Sequence, residues 1–113
     1  MAQDLDLLRG TLDLLILKAL SWGPMHGLAV LRWIEDVSRH NLQIEEGALY
    51  PALHRMEQKK WLDAEWGYTD SNRKAKYYRL SALGRRQLTA EVTKWSRYTE
   101  AVGYVLAAAG GSR

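Results

Sequence analysis

The chain has 113 residues, the usual size of a single domain, and its hydrophobic content of 47% argues against disorder. It contains no cysteine, and its three histidines (His26, His40 and His54) lack the short spacing of metal ligands, so we expect no disulfide, no metal site and no cofactor. No apolar run reaches the roughly 18 residues of a membrane-spanning helix, and the first six residues carry two acids where a secretion signal carries bases. We therefore expect a cytoplasmic protein.

The formal net charge of +3 is unevenly distributed along the chain. Residues 1–48 contain four bases and seven acids, whereas residues 49–80 contain seven bases and four acids. Four of those seven bases lie between Arg73 and Arg79. Such a cluster favours binding to a polyanion, although an ordinary solvated hairpin would show the same pattern.

The first two predicted helices are separated by Gly23 and Pro24. The first begins at Thr11 and is apolar on more than one side, which predicts that both its own domain and a partner chain cover it. The second extends from about His26 to Ser38 and turns one apolar row inward, formed by Val30, Leu31, Ile34 and Val37.

A third helix is predicted over EGALYPALHRMEQKK, residues 46–60, and a β-hairpin follows it. The inward face of this helix carries Leu49, Ala52, Leu53 and Met56, and its outward face carries Gly47, Pro51, His54 and Gln58. Two period-2 runs, LDAEW and KYYRL, then flank a turn-rich segment with a basic end, and Tyr78 and Leu80 are predicted to face the core. Three helices and a ribbon predict a mainly α fold with a small β-ribbon, a winged helix-turn-helix whose third helix enters the major groove.

A last helix is predicted from the N-cap Ser81 to about Ala109, where Gly110 and Gly111 end it. It carries a heptad-like seam, which packs either on its own domain or on a second copy. Because the first helix has unclaimed apolar surface, we expect a homodimer whose interface contains Leu5, Leu8, Leu14, Leu17, Leu88, Val92, Trp95, Thr99, Val102 and Leu106. The predicted organisation is a winged-helix DNA-binding domain at residues 1–80, a dimerisation helix at 81–109 that forms one compact unit with it, and a flexible tail at 110–113.

The predicted DNA-binding surface combines the third helix with the ribbon. Gly47 and Ala48 let the positive end of the helix approach phosphates closely, and Tyr50 can donate its hydroxyl to a phosphate. The other candidates have the reach for base edges or for the backbone, and they are His54, Arg55, Gln58, Lys59, Arg73, Lys74, Lys76 and Tyr77.

Four stretches together span nearly the whole chain, namely EGALYPALHRMEQKKWLDAEW, RKAKYYRLSALGRRQL, LRGTLDLLILKAL and GPMHG. They resemble the signature of one known family, the PadR-like transcriptional regulators. The short segment after the ribbon is similar to the compact subfamily with a single C-terminal helix. The resemblance implies a bacterial homodimeric repressor in which each C-terminal helix packs on the partner's first helix. In many members, small aromatic or drug-like compounds release the operator.

Carried over to this chain, the family's DNA contacts fall on Tyr50, Arg55 and the ribbon cations Arg73, Lys74 and Lys76. The chain departs from the family pattern at Ala48, where relatives often have serine or threonine, at Leu28, where a tyrosine is frequent, and at Glu45 and Glu46, which replace Ser-Pro. The missing hydroxyls remove possible phosphate contacts.

Three further hypotheses concern effectors and rival functions. Two copies of Trp95 on symmetry-related seams would sandwich a planar aromatic effector, although an interface tryptophan that only packs is the alternative. An enzyme is disfavoured because the chain has no cysteine nucleophile, no Ser-centred elbow, no Gly-rich phosphate loop and no metal-ligand spacing. The remaining rival is a winged-helix protein-interaction module without an operator.

Overall fold

The computed structural model describes residues 10–110, which form four helices and a small antiparallel sheet. The elements are α1 (Thr11–Leu20), β1 (Met25–His26), α2 (Gly27–Val37), α3 (Glu46–Gln58), β2 (Leu62–Tyr68), β3 (Lys74–Leu80) and α4 (Ala82–Ala107). This order confirms the predicted mainly α fold with a winged helix-turn-helix and a C-terminal helix. The predicted interface residues Leu5 and Leu8, and residues 111–113 of the predicted tail, lie outside the described residues.

The sheet has the strand order β1-β3-β2, so the predicted ribbon gains a third strand. β2 and β3 pair in a register that places Leu62 opposite Leu80 at the base and Tyr68 opposite Lys74 at the tip. β1 was not predicted, because two residues are too few to show a period-2 pattern and their pairing with β3 is purely tertiary. β1 leads directly into α2, where His26 Nδ1 accepts a hydrogen bond from Ala29 N–H at 3.3 Å and caps the helix.

One hydrophobic core lies between the first three helices and the base of the ribbon. The predicted inward residues of α3 are all buried, as are Tyr78 and Leu80 on β3, so these predictions are confirmed.

Two predictions about buried or interface residues are wrong. Val37 is exposed because it lies in the last turn of α2, beyond the core. Leu17 is 0% exposed inside its own subunit, so it cannot contribute surface to a dimer interface.

α4 begins against the domain and then leaves it. The Ser81 hydroxyl accepts a hydrogen bond from Gly84 N–H at 3.0 Å, which confirms the predicted N-cap. The helix has 26 residues, which corresponds to a length of about 39 Å. Every residue from 92 to 110 is exposed. Within residues 10–110, no helix combines the length and the apolar character needed to cross a lipid bilayer.

Candidate nucleic-acid interface

The outward face of α3 is free of cover over most of its length. Gly47, Ala48, Pro51, His54 and Gln58 are all exposed, as predicted from the helical periodicity. Among residues 10–110, no atom outside the adjoining residues and backbone of α3 lies within 4 Å of the place where a Cβ on Gly47 would stand. The start of α3 can therefore approach another molecule with little steric obstruction.

Tyr50 is positioned by the beginning of α2. A Cβ built on Gly27 would lie 2.6 Å from Tyr50 Cε1, so the tyrosine ring occupies the space that a side chain at residue 27 would need. This contact explains locally why glycine follows His26 in the GPMHG stretch. It also holds the partly exposed phenol of Tyr50 in a defined orientation on the outward face of α3.

Arg55 has a partner inside the subunit that the sequence did not indicate. Its guanidinium forms an ion pair and a hydrogen bond with the Asp13 carboxylate of α1 and remains about half exposed. Arg55 therefore joins α3 to α1, and its contact with DNA stays a prediction. Lys59, at the end of α3, has its ammonium 4.7 Å from the centroid of the Trp61 ring.

The ribbon has two chemically different faces, which follow from the strand register. The inner face is the one that contributes Leu62, Tyr78 and Leu80 to the core. Towards the tip, this same face carries Trp66, Tyr68, Lys74 and Lys76. The outer face carries Asp63, Glu65, Gly67, Ala75, Tyr77 and Arg79.

The inner face of the ribbon is joined to α3 by an ion pair. Lys76 Nζ lies 3.0 Å from Glu57 Oε1, and this hydrogen bond is the main reason that the pKa of Lys76 is raised above its usual value of 10.5. Glu57 lies three residues after His54 and seven after Tyr50, on the same side of the helix. The outward face of α3 and the inner face of the ribbon tip therefore form one continuous surface.

Tyr77 lies on the outer face with Arg79, opposite Tyr78 and Leu80, whereas Lys74 and Lys76 lie on the inner face. Its hydroxyl donates a hydrogen bond to the Tyr68 carbonyl oxygen at 3.0 Å, and its ring meets His26 edge-on with a centroid distance of 5.4 Å. A Cβ on Gly67 would come within 3.1 Å of the same ring. Tyr77 therefore fastens the ribbon to β1 and α2.

The tip of the ribbon presents Arg73 on a hydrogen-bonded turn. Thr69 N–H donates to the Arg73 carbonyl oxygen at 2.8 Å, and Arg73 N–H donates to Thr69 Oγ1 at 3.2 Å. The backbone on both sides of the tip is thus ordered, while the guanidinium remains exposed. Arg73 and Lys74 extend the cationic surface beyond the end of the core.

Two aromatic residues on the inner face were missed by the sequence analysis. Trp66 and Tyr68 are 61% and 68% exposed, although large apolar side chains on a core-side face are usually covered. The Lys74 ammonium lies 5.2 Å from the centroid of the Trp66 ring. The period-2 register pairs Trp66 with Lys76 and Tyr68 with Lys74, so extending both strands by two residues would have revealed this association.

A second candidate site lies between α1 and α4. A cavity of about 430 Å³ is lined by Gly10, Thr11, Leu14, Glu91, Lys94, Trp95 and Tyr98. The rings of Trp95 and Tyr98 have their centroids 6.2 Å apart. Of the predicted seam, Leu88 packs partly against the subunit's own core, whereas Val92, Trp95, Thr99, Val102 and Leu106 are exposed.

Comparisons with known proteins agree with one another. The sequence profile of the PadR-like family of transcriptional regulators matches residues 16–90. The chain is 31% identical over 97 residues to a protein of Lysinibacillus sphaericus, covering 86% of this chain and 89% of that protein. It is 33% identical over 84 residues to a transcriptional regulator of Mycobacterium tuberculosis, covering 74% of each. The crystal structure of a PadR family transcriptional regulator from Eggerthella lenta matches with a TM-score of 0.75 and 33% identity, covering 89% of this chain and 86% of that one.

Proposed function

The chain belongs to the PadR-like family of transcriptional regulators, which are DNA-binding proteins and not enzymes, and from this premise we propose that it is a homodimeric repressor acting in the cytoplasm. It binds a palindromic operator and is released by a small aromatic or drug-like effector. The observation that carries the proposal is the continuous surface formed by the outward face of α3 and the inner face of the ribbon.

This surface has the properties that duplex DNA requires of a partner. Small residues at the start of α3 allow the helix to enter a groove of the duplex. Tyr50, His54 and Gln58 carry hydrogen-bonding groups on the same outward face of α3. The ribbon adds cations at its tip, where they would neutralise phosphates beside the groove. We propose that α3 reads the major groove while the ribbon contacts the backbone.

The dimer is proposed from the surface of α4. Residues 1–80 act as the DNA-binding domain, and residues 81–109 act as the dimerisation helix, whose exposed apolar residues pack against the partner. A twofold dimer would present two copies of α3 to successive major grooves, which is why the operator is proposed to be palindromic. Tail residue 110 is exposed.

The effector is proposed to bind beside Trp95. The cavity between α1 and α4 is bordered by the two aromatic rings and by Leu14, and Trp95 and Leu14 also belong to the proposed interface. A planar aromatic compound would stack on Trp95 there, and in a dimer the partner would close the site.

The test is binding of the purified protein to the DNA upstream of its own gene, measured at several salt concentrations. We expect a palindrome-selective complex whose affinity falls steeply as salt increases. Lys74→Gln should reduce the slope of log affinity against log salt by about 0.9 and weaken binding to all duplexes alike. Lys18→Gln, which removes the same charge from an exposed position on α1, is the matched control and should leave the slope unchanged.

Effector release is measured in the same assay. Phenolic and polyaromatic compounds should dissociate the complex of the wild-type protein with DNA. In a separate measurement, the same compounds should quench the emission of Trp95 in a variant that lacks the other four tryptophans. If no salt-sensitive complex forms with any duplex, with or without these compounds, the chain acts as a protein-interaction module and the repressor proposal is wrong.

A further inference from the structure

Beside its cations, the ribbon carries an exposed apolar side chain, and charge alone gives this side chain no role in DNA binding. We propose that Trp66, with the Lys74 ammonium held across its ring, packs directly against the deoxyribose backbone of the duplex. This inference rests on the proposed function and adds to it a binding residue whose contribution does not depend on salt.

Trp66 lies on a part of the ribbon's inner face that the core leaves exposed. The base of the inner face is buried by the core, but the face continues past the end of α3, and there Trp66 and Tyr68 are left uncovered. Within the described residues no aromatic ring stacks on Trp66, and the Lys74 ammonium lies 5.2 Å from the centroid of its ring. An indole left open in this way keeps most of its apolar area for another molecule.

The two faces of the ribbon differ in charge. The inner face of the strands carries two lysines and no acid, a formal charge of +2, whereas the outer face carries Arg79 against Asp63 and Glu65, a formal charge of −1. Arg79 is also occupied by those acids, with its Nη1 3.5 Å from Glu65 Oε1. A polyanion is therefore attracted to the inner face, which is the face that exposes Trp66.

The inner face of the ribbon is continuous with the outward face of α3, which is proposed to read the groove. The ion pair of Lys76 with Glu57 fixes the inner face beside the outward face of α3. A duplex that contacts Tyr50 and His54 must therefore pass next to the ribbon's inner face. The Lys74 ammonium and the Trp66 indole lie next to each other, so a charge that can bind a phosphate adjoins a flat apolar side chain that can pack against a sugar. This arrangement matches the alternation of phosphate and sugar along a DNA strand.

The experiment compares the salt dependence of operator binding in three variants. Trp66→Ala should weaken binding about tenfold at every salt concentration without changing the slope, because the lost contact is apolar. Trp66→Phe should retain most of the affinity, since it keeps an aromatic face. Trp22→Ala is the matched control: Trp22 is 71% exposed and also has a lysine ammonium, that of Lys18, 5.5 Å from its ring centroid, but it lies on the turn after α1. It should bind like the wild type.

Each other outcome overturns the inference in a recognisable way. If Trp66→Ala binds as tightly as the wild type while the wild type still binds in a salt-sensitive manner, the contact does not exist and the repressor proposal stands. If Trp66→Ala lowers the slope as Lys74→Gln does, the indole only positions Lys74, and the direct contact is refuted. If the wild type itself binds no duplex, the proposed function fails with it. Circular dichroism melting of each variant verifies that it is folded. Tryptophan fluorescence provides a second readout of the contact, because the quenching of emission that DNA causes should be lost in Trp66→Phe.

Discussion

At the scale of single residues, two glycines of α4 differ in the space that is available for a side chain. A Cβ on Gly84 would lie 2.1 Å from the Trp61 carbonyl oxygen, a backbone atom that cannot easily move, whereas a Cβ on Gly103 would meet nothing within 4 Å. We therefore expect Gly84→Ala to lower the free energy of unfolding by about 1–3 kcal/mol through overpacking. Gly103→Ala should raise it by up to about 1 kcal/mol, because alanine is the better helix former.

Thermal or urea unfolding of the two variants under the same conditions measures this difference. Both place a methyl group in the same helix, so intrinsic helix propensity favours alanine equally at the two positions. An equal gain in stability at both would show that α4 does not pack closely on Trp61.

Residue-level periodicity predicted which side of an element faces the core but not which partner a polar side chain finds. The inward rows of α3 and β3 followed from periods of 3.6 and 2, and the structure confirms them. That Arg55 and Tyr77 contact DNA stays a prediction. Their partners inside the subunit, Asp13 for Arg55 and His26 for the ring of Tyr77, lie 42 and 51 residues away in the sequence, so no local pattern indicates them.

At the scale of elements, the contact between β3 and the rest of the domain is sensitive to alkaline pH. Burial raises the pKa of Tyr78 above its usual value of 10.0, and the hydrogen bond to Glu57 raises the pKa of Lys76 above 10.5. Both groups therefore hold their protons more tightly in the folded than in the unfolded state. Their stabilising contributions are complete below pH 10, and they decrease as the pH rises through the folded-state pKa values.

Urea unfolding between pH 7 and pH 11 checks this sign. The free energy of unfolding should decrease above about pH 10, and Tyr78→Phe should reduce that decrease because the ionisable group is gone. Tyr68→Phe, which removes a phenol from an exposed site on the same ribbon, should leave the pH profile as it is. A profile that is unchanged by Tyr78→Phe would contradict the assignment of the alkaline loss to this buried phenol.

The element order of the fold was predictable, whereas the extent of the sheet was not. Long periodic segments gave α3, the ribbon and α4 within a few residues of their observed bounds. The ends of β2 and β3 were missed because Gly67, Tyr68, Lys74 and Ala75 adjoin the turn-forming residues 70–72 and were counted with them. That omission left Tyr68 outside the predicted strand.

At the scale of the whole molecule, the far part of α4 is apolar and, among residues 10–110, uncovered by other elements. Val102, Tyr104, Val105 and Leu106 are all exposed there, and the molecule including this helix measures 62 × 37 × 22 Å. A helix without tertiary packing is only marginally stable in water, and a cluster of exposed apolar side chains is typical of an interface. We expect the purified chain to be a dimer at micromolar concentration.

Substitutions at two neighbouring positions distinguish the loss of this interface from a general effect on the helix. Val102 belongs to the predicted seam, whereas Ala101 points about 100° away around the helix axis and is also exposed. Val102→Asp should shift the dimer towards monomer more than tenfold in dissociation constant, since it buries an unpaired charge. Ala101→Asp adds the same charge with little effect on assembly. Sedimentation equilibrium distinguishes them, and operator binding of Val102→Asp should weaken as well, because a monomer contacts only one half-site. Equal dimerisation of both variants would place the partner on another face of α4.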